Sequence, residues 1–381
     1  MRNKILFLDA EARSTLSIIR SIGRNYDFDI YVAGRNKNDI CRFSRYTEKF
    51  LIYKDPLKSK IGFLESLESI VLENKVDFIF PCSDLTLYPI CDSYFYNKYN
   101  SKLIAPSNES YLSTFDKREM NEIAKRCDVL IPKDYELDEI TFPCVIKPRQ
   151  SRFYIDDTMA HGFREFVNNN HEMDIFMDSI KNMDTTPLIQ EVIEGEGNGV
   201  FIAAKDGEIF ASFAHERIRE VPPGGGASTL RKAANIDNEL YDSAKKLISE
   251  LKWTGIAMVE FKGKYFMEIN GRPWGSMDLA VSSGVDFPSM MINIFVYNKN
   301  IDELKKLFNK SYDEHHYAKW IEGEFEYIKY LEKNKKVSLI EKLKILCLPF
   351  VNTSYDTFKL NDPLPFLYLV LRKIAKKVFR K

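Results

Sequence analysis

The chain has 381 residues, 45% of them hydrophobic, and balances 55 Lys+Arg against 55 Asp+Glu. That length suggests two or three domains with a sizeable core, and the zero net charge argues against a dedicated nucleic-acid binder, which carries a basic excess. The six cysteines, Cys41, Cys82, Cys91, Cys127, Cys144 and Cys347, show no C-x-x-C spacing and several sit in apolar runs. They read as buried thiols of a reducing cytosol rather than as disulfides or zinc ligands.

The opening MRNKILFLDAEARS has about five apolar residues before Asp9, too few for a signal peptide. No window reaches the roughly 20 apolar residues of a bilayer span, so the expected location is cytoplasmic. KILFLD (4–9) reads as a strand, and Leu16, Ile18, Ile19 and Ile22 predict a helix that Gly23 stops. DIYVAG (29–34) is a second strand. Phe63, Leu64, Leu67, Ile70 and Val71 mark a helix, and VDFIFPCSD (76–84) a third strand. Alternating strands and helices imply a parallel, doubly wound sheet. No G-x-G-x-x-G follows the first strand, which speaks against an NAD or nucleotide-sugar site.

The pattern shifts near 105–117. Ser113, with Asp116 three residues on, predicts a capping box before a helix whose apolar stripe is Met120, Ile123, Ala124 and Cys127. FPCVIKP (142–148) and PLIQEVIEGEG (187–197) read as strands. VFIAAKDG and EIFASFAHERI predict a hairpin through Asp206-Gly207, and VPPGGGAST (221–229) a flexible loop. Gly224 to Gly226 there suit a lid, or an anion-binding nest. Leu240, Ala244, Leu247, Ile248 and Leu251 define an amphipathic helix. TGIAMVEFKGKYFMEIN (254–270) predicts a second hairpin, turning at Lys262-Gly263. After about residue 300 the chain becomes Lys-rich and reads as helical.

The second hairpin carries the chemistry. Strands alternate faces with period two, so Glu268, Asn270 and Arg272 should share one face, with Glu260 across the hairpin. Two buried carboxylates side by side repel, so one is protonated or a cation neutralises both. Carboxylate and amide oxygens are hard ligands, suited to magnesium.

The run TGIAMVEFKGKYFMEINGRPWGS resembles the metal-binding end of the ATP-grasp superfamily. STFDKREMNEIAKRCDVLIP resembles the helix that opens the ATP-grasp domain, FPCVIKPR its phosphate-contacting strand, and IQEVIEGEGNGVF its adenine hinge. AHERIREVPPGGGASTLR is similar to a segment of carbamoyl-phosphate-synthase-like members. The joint order of these segments, across roughly residues 1–300, carries the likeness. It implies a fold of mixed α/β and α+β type: a Rossmann-like pre-ATP-grasp domain over 1–106, a two-lobed ATP-grasp domain over 107–300 with its lobes meeting near 185, and a helical, basic extension over 301–381. It implies ATP and magnesium, or manganese in its place, as cofactors. Glu260, Glu268 and Asn270 match the metal ligands. Lys147 and Lys117 match the nucleotide-contacting lysines, and Glu191, Val192 and Ile193 the hinge. Arg272 matches the arginine beside the transferred phosphoryl group and, with Lys147, is the expected catalytic pair. Two departures stand out. The Gly-rich phosphate loop is replaced by PRQSRFYIDDTMAHGF, where Arg149, Ser151 and Arg152 are the residues on offer. Gly197 stands where an acid should hold the ribose, with Glu194 and Glu196 nearby; Glu196 is the candidate. His215, Arg217 and Arg219 alternate along one strand and, with Arg231, are candidates for a cationic substrate wall or simply a charged edge strand.

The implied activity is ATP-dependent carboxylate–amine ligation through an acylphosphate, with small-molecule carboxylate and amine partners and no nucleic acid. Phosphorylation of a carboxylate or carbamate without ligation, and non-catalytic ATP binding, remain alternatives. DPLPFLYLVLRK (362–373) resembles members associated with bacterial surface-polysaccharide synthesis, which implies a sugar acid or an amino acid as substrate. The last ten residues, RKIAKKVFRK, hold six cations. They read as a solvated helix end or as a peripheral contact with the inner membrane face. A homodimer is the expected assembly.

Overall fold

The structure is a computed structural model and describes residues 2–180, 187–223, 226–334 and 336–378. The N-terminal part runs β1 (Lys4–Phe7), α1 (Arg13–Asn25), β2 (Asp29–Gly34), β3 (Lys49–Ile52), α2 (Lys60–Asn74) and β4 (Phe78–Phe80). Its sheet is all parallel, in the order β3-β2-β1-β4. Ile5, Leu6 and Phe7 of the central strand are fully buried, as expected where helices cover both faces. Strand β3 escaped the sequence reading because its residues are only half-buried or exposed. Gly23 does not stop α1; it lies inside it. A Cβ there would sit 2.4 Å from the Tyr46 ring, so glycine at this position permits close packing rather than ending the helix.

Four helices follow: α3 (Asp84–Cys91), α4 (Tyr94–Tyr99), α5 (Asn108–Phe115) and α6 (Lys117–Arg126). The expected capping box at Ser113 resolves into two separate caps. Ser107 accepts from the Ser110 N–H at the start of α5, and Asp116 accepts from the N–H groups of Arg118 and Glu119 at the start of α6. Ser113 instead donates its hydroxyl to Glu119 (2.6 Å).

The next lobe comprises β5 (Cys144–Pro148), β6 (Arg152–Ile155), β7 (Thr158–His161), β8 (Glu165–Val167), α7 (Asn170–Ile180) and β9 (Pro187–Glu191). Strands β8-β5-β9 form an antiparallel sheet, and β6-β7 a separate hairpin. The last lobe holds β10 (Gly197–Lys205), β11 (Glu208–Val221), β12 (Ala227–Ala234), α8 (Asn238–Glu250), β13 (Gly255–Lys262) and β14 (Tyr265–Asn270). Asp206 and Gly207 both have positive φ (53° and 85°), which a two-residue turn between right-twisted strands demands. The loop expected over 221–229 is short, since β11 reaches Val221 and β12 starts at Ala227; Gly224 and Gly225 lie outside the described residues.

The chain ends with α9 (Met277–Ser282), α10 (Phe287–Phe295), α11 (Ile301–Phe308), β15 (Tyr317–Lys319), α12 (Ile321–Asn334), α13 (Leu339–Cys347), β16 (Thr353–Tyr355) and α14 (Leu364–Val378). The C-terminal region is mainly helical, but β15 and β16 extend the large sheet to seven strands, β14-β13-β10-β11-β12-β15-β16. Three-residue strands are too short to leave a period-two signal. Among the described residues the cysteines are free; Cys41, Cys82, Cys91 and Cys144 are buried, Cys127 is half-buried and Cys347 is exposed.

Buried ion pairs lock this C-terminal region to the N-terminal sheet. Arg20 of α1 donates from Nε to Asp362 Oδ2 (2.8 Å) and caps the carbonyls of Asp356, Thr357 and Asp362. Asp362 also accepts from Ser44 Oγ and the Arg45 N–H, each at 2.8 Å. Both ionic side chains are at most 3% exposed. Removing one partner leaves the other charge buried and unpaired. Asp362→Ala is therefore expected to cost about 3–5 kcal/mol of stability, read as a lower urea midpoint.

Candidate active site

Strands β13 and β14 pair antiparallel with Glu260 opposite Glu268. Val259, Phe261, Phe266 and Ile269 are buried against Met120 and Ile123 of α6 and Leu240 and Leu247 of α8. Strict alternation would put Phe266 on the same face as Glu268. A bulge avoids this: Phe261 pairs with Phe266, so Met267 is left over. Phe266 then turns inward with Ile269, while Met267, Glu268 and Asn270 face outward. The polar face survives because the other face is fixed by the core.

The two carboxylates are bridged by one amide. Asn270 Nδ2 lies 3.2 Å from Glu260 Oε1 and 3.2 Å from Glu268 Oε1. Its oxygen accepts from Arg272 (2.8 Å), and Arg272 Nε donates to Asp84 Oδ2 (2.9 Å). Tyr111 OH donates to the other Asp84 oxygen (2.9 Å). Asp84 stands at the first turn of α3, beyond the C-terminal end of β4, with Ser83 as its N-cap. Ligands of open parallel sheets gather at that end. The sequence reading missed Asp84 and Tyr111, although Ser-Asp following a strand was a usable cap signal.

These contacts set the electrostatics. Burial, then the Glu268 charge, pushes Glu260 up to about 7, against the pull of Arg217 and Arg272. Arg217 reaches within 4.0 Å of Glu260. Burial works to lower Arg272, but the charge and hydrogen bond of Asp84, joined by Glu268, raise its pKa. Burial, then the neighbouring Lys117 charge, brings Lys147 down to about 8. Burial also lowers Lys117, whose Nζ donates to Ser151 Oγ (2.7 Å).

Lys117, Lys147, Ser151, Glu196, Arg217, Glu260 and Glu268 line one cavity of about 950 Å³. That volume suits a nucleotide-sized ligand. A second cavity, of about 830 Å³, lies beside Tyr26 and Phe308. Its Asp286, Lys299 and Lys305 are engaged by Ser289, Glu303 and Glu208. Among the described residues no group of three or more His, Cys, Asp or Glu gathers to hold a metal. A cation between Glu260 and Glu268 would have two carboxylates and one amide, with positions left for substrate oxygens. The Glu268 charge that, after burial, lifts Glu260 fits that role.

Other expected site residues lie elsewhere. Glu191, Val192 and Ile193 sit at the exit of β9, outside this lining; Ile193 is buried and the Glu191 carboxylate accepts from the Lys133 N–H (2.8 Å). A bulge at Ile218 breaks the alternation of β11. Arg217 therefore faces Glu260, while Arg219 pairs with Glu324 of α12 (2.8 Å). Arg231 is 1% exposed and pairs with Asp356. His215 Nε2 lies 2.9 Å from Ser276 Oγ, and burial, followed by Arg231 and Arg217, drives its pKa down to about 3. It is neutral at physiological pH. Arg219 and Arg231 thus hold the C-terminal region in place and do not line the cavity.

The segment that replaces a Gly-rich loop is the β6-β7 hairpin, and it docks on α3 and the loop before α2. Tyr154 stacks on Tyr88 (centroids 5.8 Å apart) and donates to the Pro56 carbonyl (3.2 Å). The Met159 N–H donates to Leu57 O (3.1 Å), and its side chain is buried in the N-terminal core.

Residues 114–276 match the model of the ATP-grasp domain. This part of the chain is similar to ATP-grasp domains. Its solved likenesses include biotin carboxylase from Campylobacter jejuni (14% identity, TM-score 0.64, covering 83% of this chain and 74% of that one). An L-amino acid ligase from Bacillus licheniformis is similar as well (13%, TM-score 0.60, 78% and 75%). N5-carboxyaminoimidazole synthetase from Staphylococcus aureus, also solved with ADP, is a third (13%, TM-score 0.58, 77% and 78%). At these identities the likeness shows the fold. No curated protein matches the sequence.

The Glu260 shift has a pH consequence. The folded state holds this proton until about pH 7, whereas an unfolded glutamate releases it near 4.3. Between those values the folded state binds more protons, so stability falls as pH rises. In ligand-free protein, Glu260→Gln should remove this loss. Urea midpoints should show the variant gaining on wild type from pH 5 to pH 8.

Proposed function

We propose that the protein is an ATP-dependent carboxylate–amine ligase. One observation carries the reading: Glu260 and Glu268, bridged by Asn270, line a single cavity together with Lys147 and Lys117. Acidic ligands on one wall and cations on the other suit a metal-chelated triphosphate. Glu260, Glu268 and the Asn270 oxygen would hold magnesium, which would neutralise phosphate charge. For Asn270 this means turning the amide round, since its oxygen now accepts from Arg272.

The chain's own residues then position and stabilise. Lys147 and Lys117 neutralise phosphate oxygens, and Glu196 is the acid available for the ribose. Arg272, held charged and aimed by Asp84, meets the phosphoryl group in transfer. A substrate carboxylate oxygen bonds to the γ-phosphorus as ADP leaves. An amine nitrogen then attacks the acyl carbon, its carbon–oxygen bond to phosphate breaks, and nitrogen gives up a proton. Amide, ADP and phosphate result. The solved likenesses support the nucleotide half of this reading, and the amino acid ligase among them makes amino acids the first substrates to try. Sugar acids of envelope polysaccharide synthesis rest on the C-terminal resemblance alone.

The test incubates the protein with ATP, magnesium and pools of amino acids and uronic acids, followed by mass spectrometry. ADP release with a new amide is expected in wild type and absent in Glu268→Gln. Acyl phosphate without amide would assign the protein as a kinase instead. ADP release that no pool stimulates would sink catalysis. Asp84→Ala, which touches Arg272 and not the nucleotide, is expected to lower turnover by about 10–100-fold, the usual range for an outer-shell partner, with nucleotide affinity little changed.

A further inference from the structure

We propose that α13, the turn after it and α14 form a face that docks on an anionic bilayer surface. This rests on a surface that shares no lining residue with the nucleotide cavity and stands independently of the ligase reading. Among the described residues no helix is long and apolar enough to cross a membrane, so the contact is peripheral.

The apolar groups point the wrong way for a soluble surface. In α14, Leu364, Leu367, Val370, Leu371 and Ile374 are all exposed, Leu371 by 65%. Their spacing places them on one stripe of the helix. The opposite side of α14 is what anchors it. Tyr368 stacks on Phe43 (3.8 Å), Phe366 meets Phe358 (5.3 Å), and Leu369 joins the core. The outward stripe is therefore held outward by packing. In α13 no residue is buried. Leu339 (72% exposed), Ile340 and Leu343 share one side, and Leu348, Phe350 (68%) and Val351 continue it through the turn. The elements are neighbours: α13 packs on α12, and Lys373 of α14 lies over the Phe325 ring of α12 (5.7 Å).

Charge selects the occupant. Residues 336–378 contain eight cations, Lys336, Lys342, Lys344, Lys359, Arg372, Lys373, Lys376 and Lys377, against three acids. Each of those acids has a partner within the protein, while among the cations Lys342 pairs with Glu332 and Lys359 with Asp278. Glu341 completes the capping box of α13, and Asp356 and Asp362 are buried in ion pairs. Exposed leucines flanked by the lysines and arginine of α14, which carries no acid, match the interface of an anionic bilayer: the apolar stripe enters the acyl boundary and the cations reach headgroup phosphates. A second copy of the same basic face would repel. The structure thereby enlarges the membrane contact expected of the last ten residues alone and centres it on 339–374.

The full chain would be sedimented with phosphatidylcholine vesicles and with vesicles that also contain phosphatidylglycerol. Binding to the anionic vesicles should be at least about tenfold tighter, given a contribution from each nearby cation. Leu367→Glu/Leu371→Glu, and separately Leu343→Glu/Phe350→Glu, should each weaken it by about tenfold or more. Lys373→Glu/Lys376→Glu should abolish the preference for anionic lipid. These positions are exposed, and unchanged circular dichroism and thermal unfolding would show that the variants fold. Absence of binding to either vesicle, or binding that the leucine variants leave intact, overturns the proposal. So does a wild-type dimer that Leu367→Glu/Leu371→Glu splits while vesicles stay unbound, because that assigns the face to a second copy.

Discussion

Two carboxylates that cannot move apart organise this protein. Glu260 and Glu268 face each other across a hairpin whose reverse side is nailed into the core by Val259, Phe261, Phe266 and Ile269. Retreat would expose those side chains, at about 1.5–3 kcal/mol each. The repulsion has to be answered in place. Asn270 answers part of it with one amide nitrogen shared between both acids, and Arg217 and Arg272 add positive charge nearby. None of these neutralises the pair fully, and that residue of unmet charge is what a bound cation would use.

The same constraint ties the N-terminal sheet to the cavity. Arg272 cannot serve the carboxylates unless something fixes its direction, and Asp84 does so from the first turn of α3. Tyr111 fixes Asp84 in turn. Arg272 is thus aimed by a residue 188 positions away in sequence. On the opposite wall, Lys147 and Lys117 are both depressed, chiefly by burial, and Lys147 also by the charge of Lys117. Both walls are electrically frustrated, with opposite sign.

Sequence alone made much of this legible where a signal was dense. The hairpin turns, the parallel sheet and the Glu260–Glu268–Asn270 grouping come from period-two patterning, turn residues and family likeness. The features that escaped did so for physical reasons. Bulges at Met267 and Ile218 change the face on which their neighbours project, and alternation assumes that none occur. Arg219 and Arg231 looked like substrate ligands because a strand of cations has no visible partner in sequence. Their partners, Glu324 and Asp356, arrive 105 and 125 residues later. Strands β15 and β16 are too short to announce themselves, and Asp84 acts only through a fold-level contact.

For the nucleotide site proposed above, the β6-β7 hairpin, whose two ends Ser151 and Gly162 border the cavity, has a bearing on how the ligand enters and leaves. A free glycine loop over phosphates opens by diffusion. Here Tyr154 must leave Tyr88, the Met159 amide must give up Leu57, and the Met159 side chain must come out of the N-terminal core. Opening on that side is a local unfolding event rather than a loop fluctuation. Release of the hairpin should therefore accelerate steeply with temperature, as unfolding rates do, with Tyr88 of α3 and the loop before α2 as its latch.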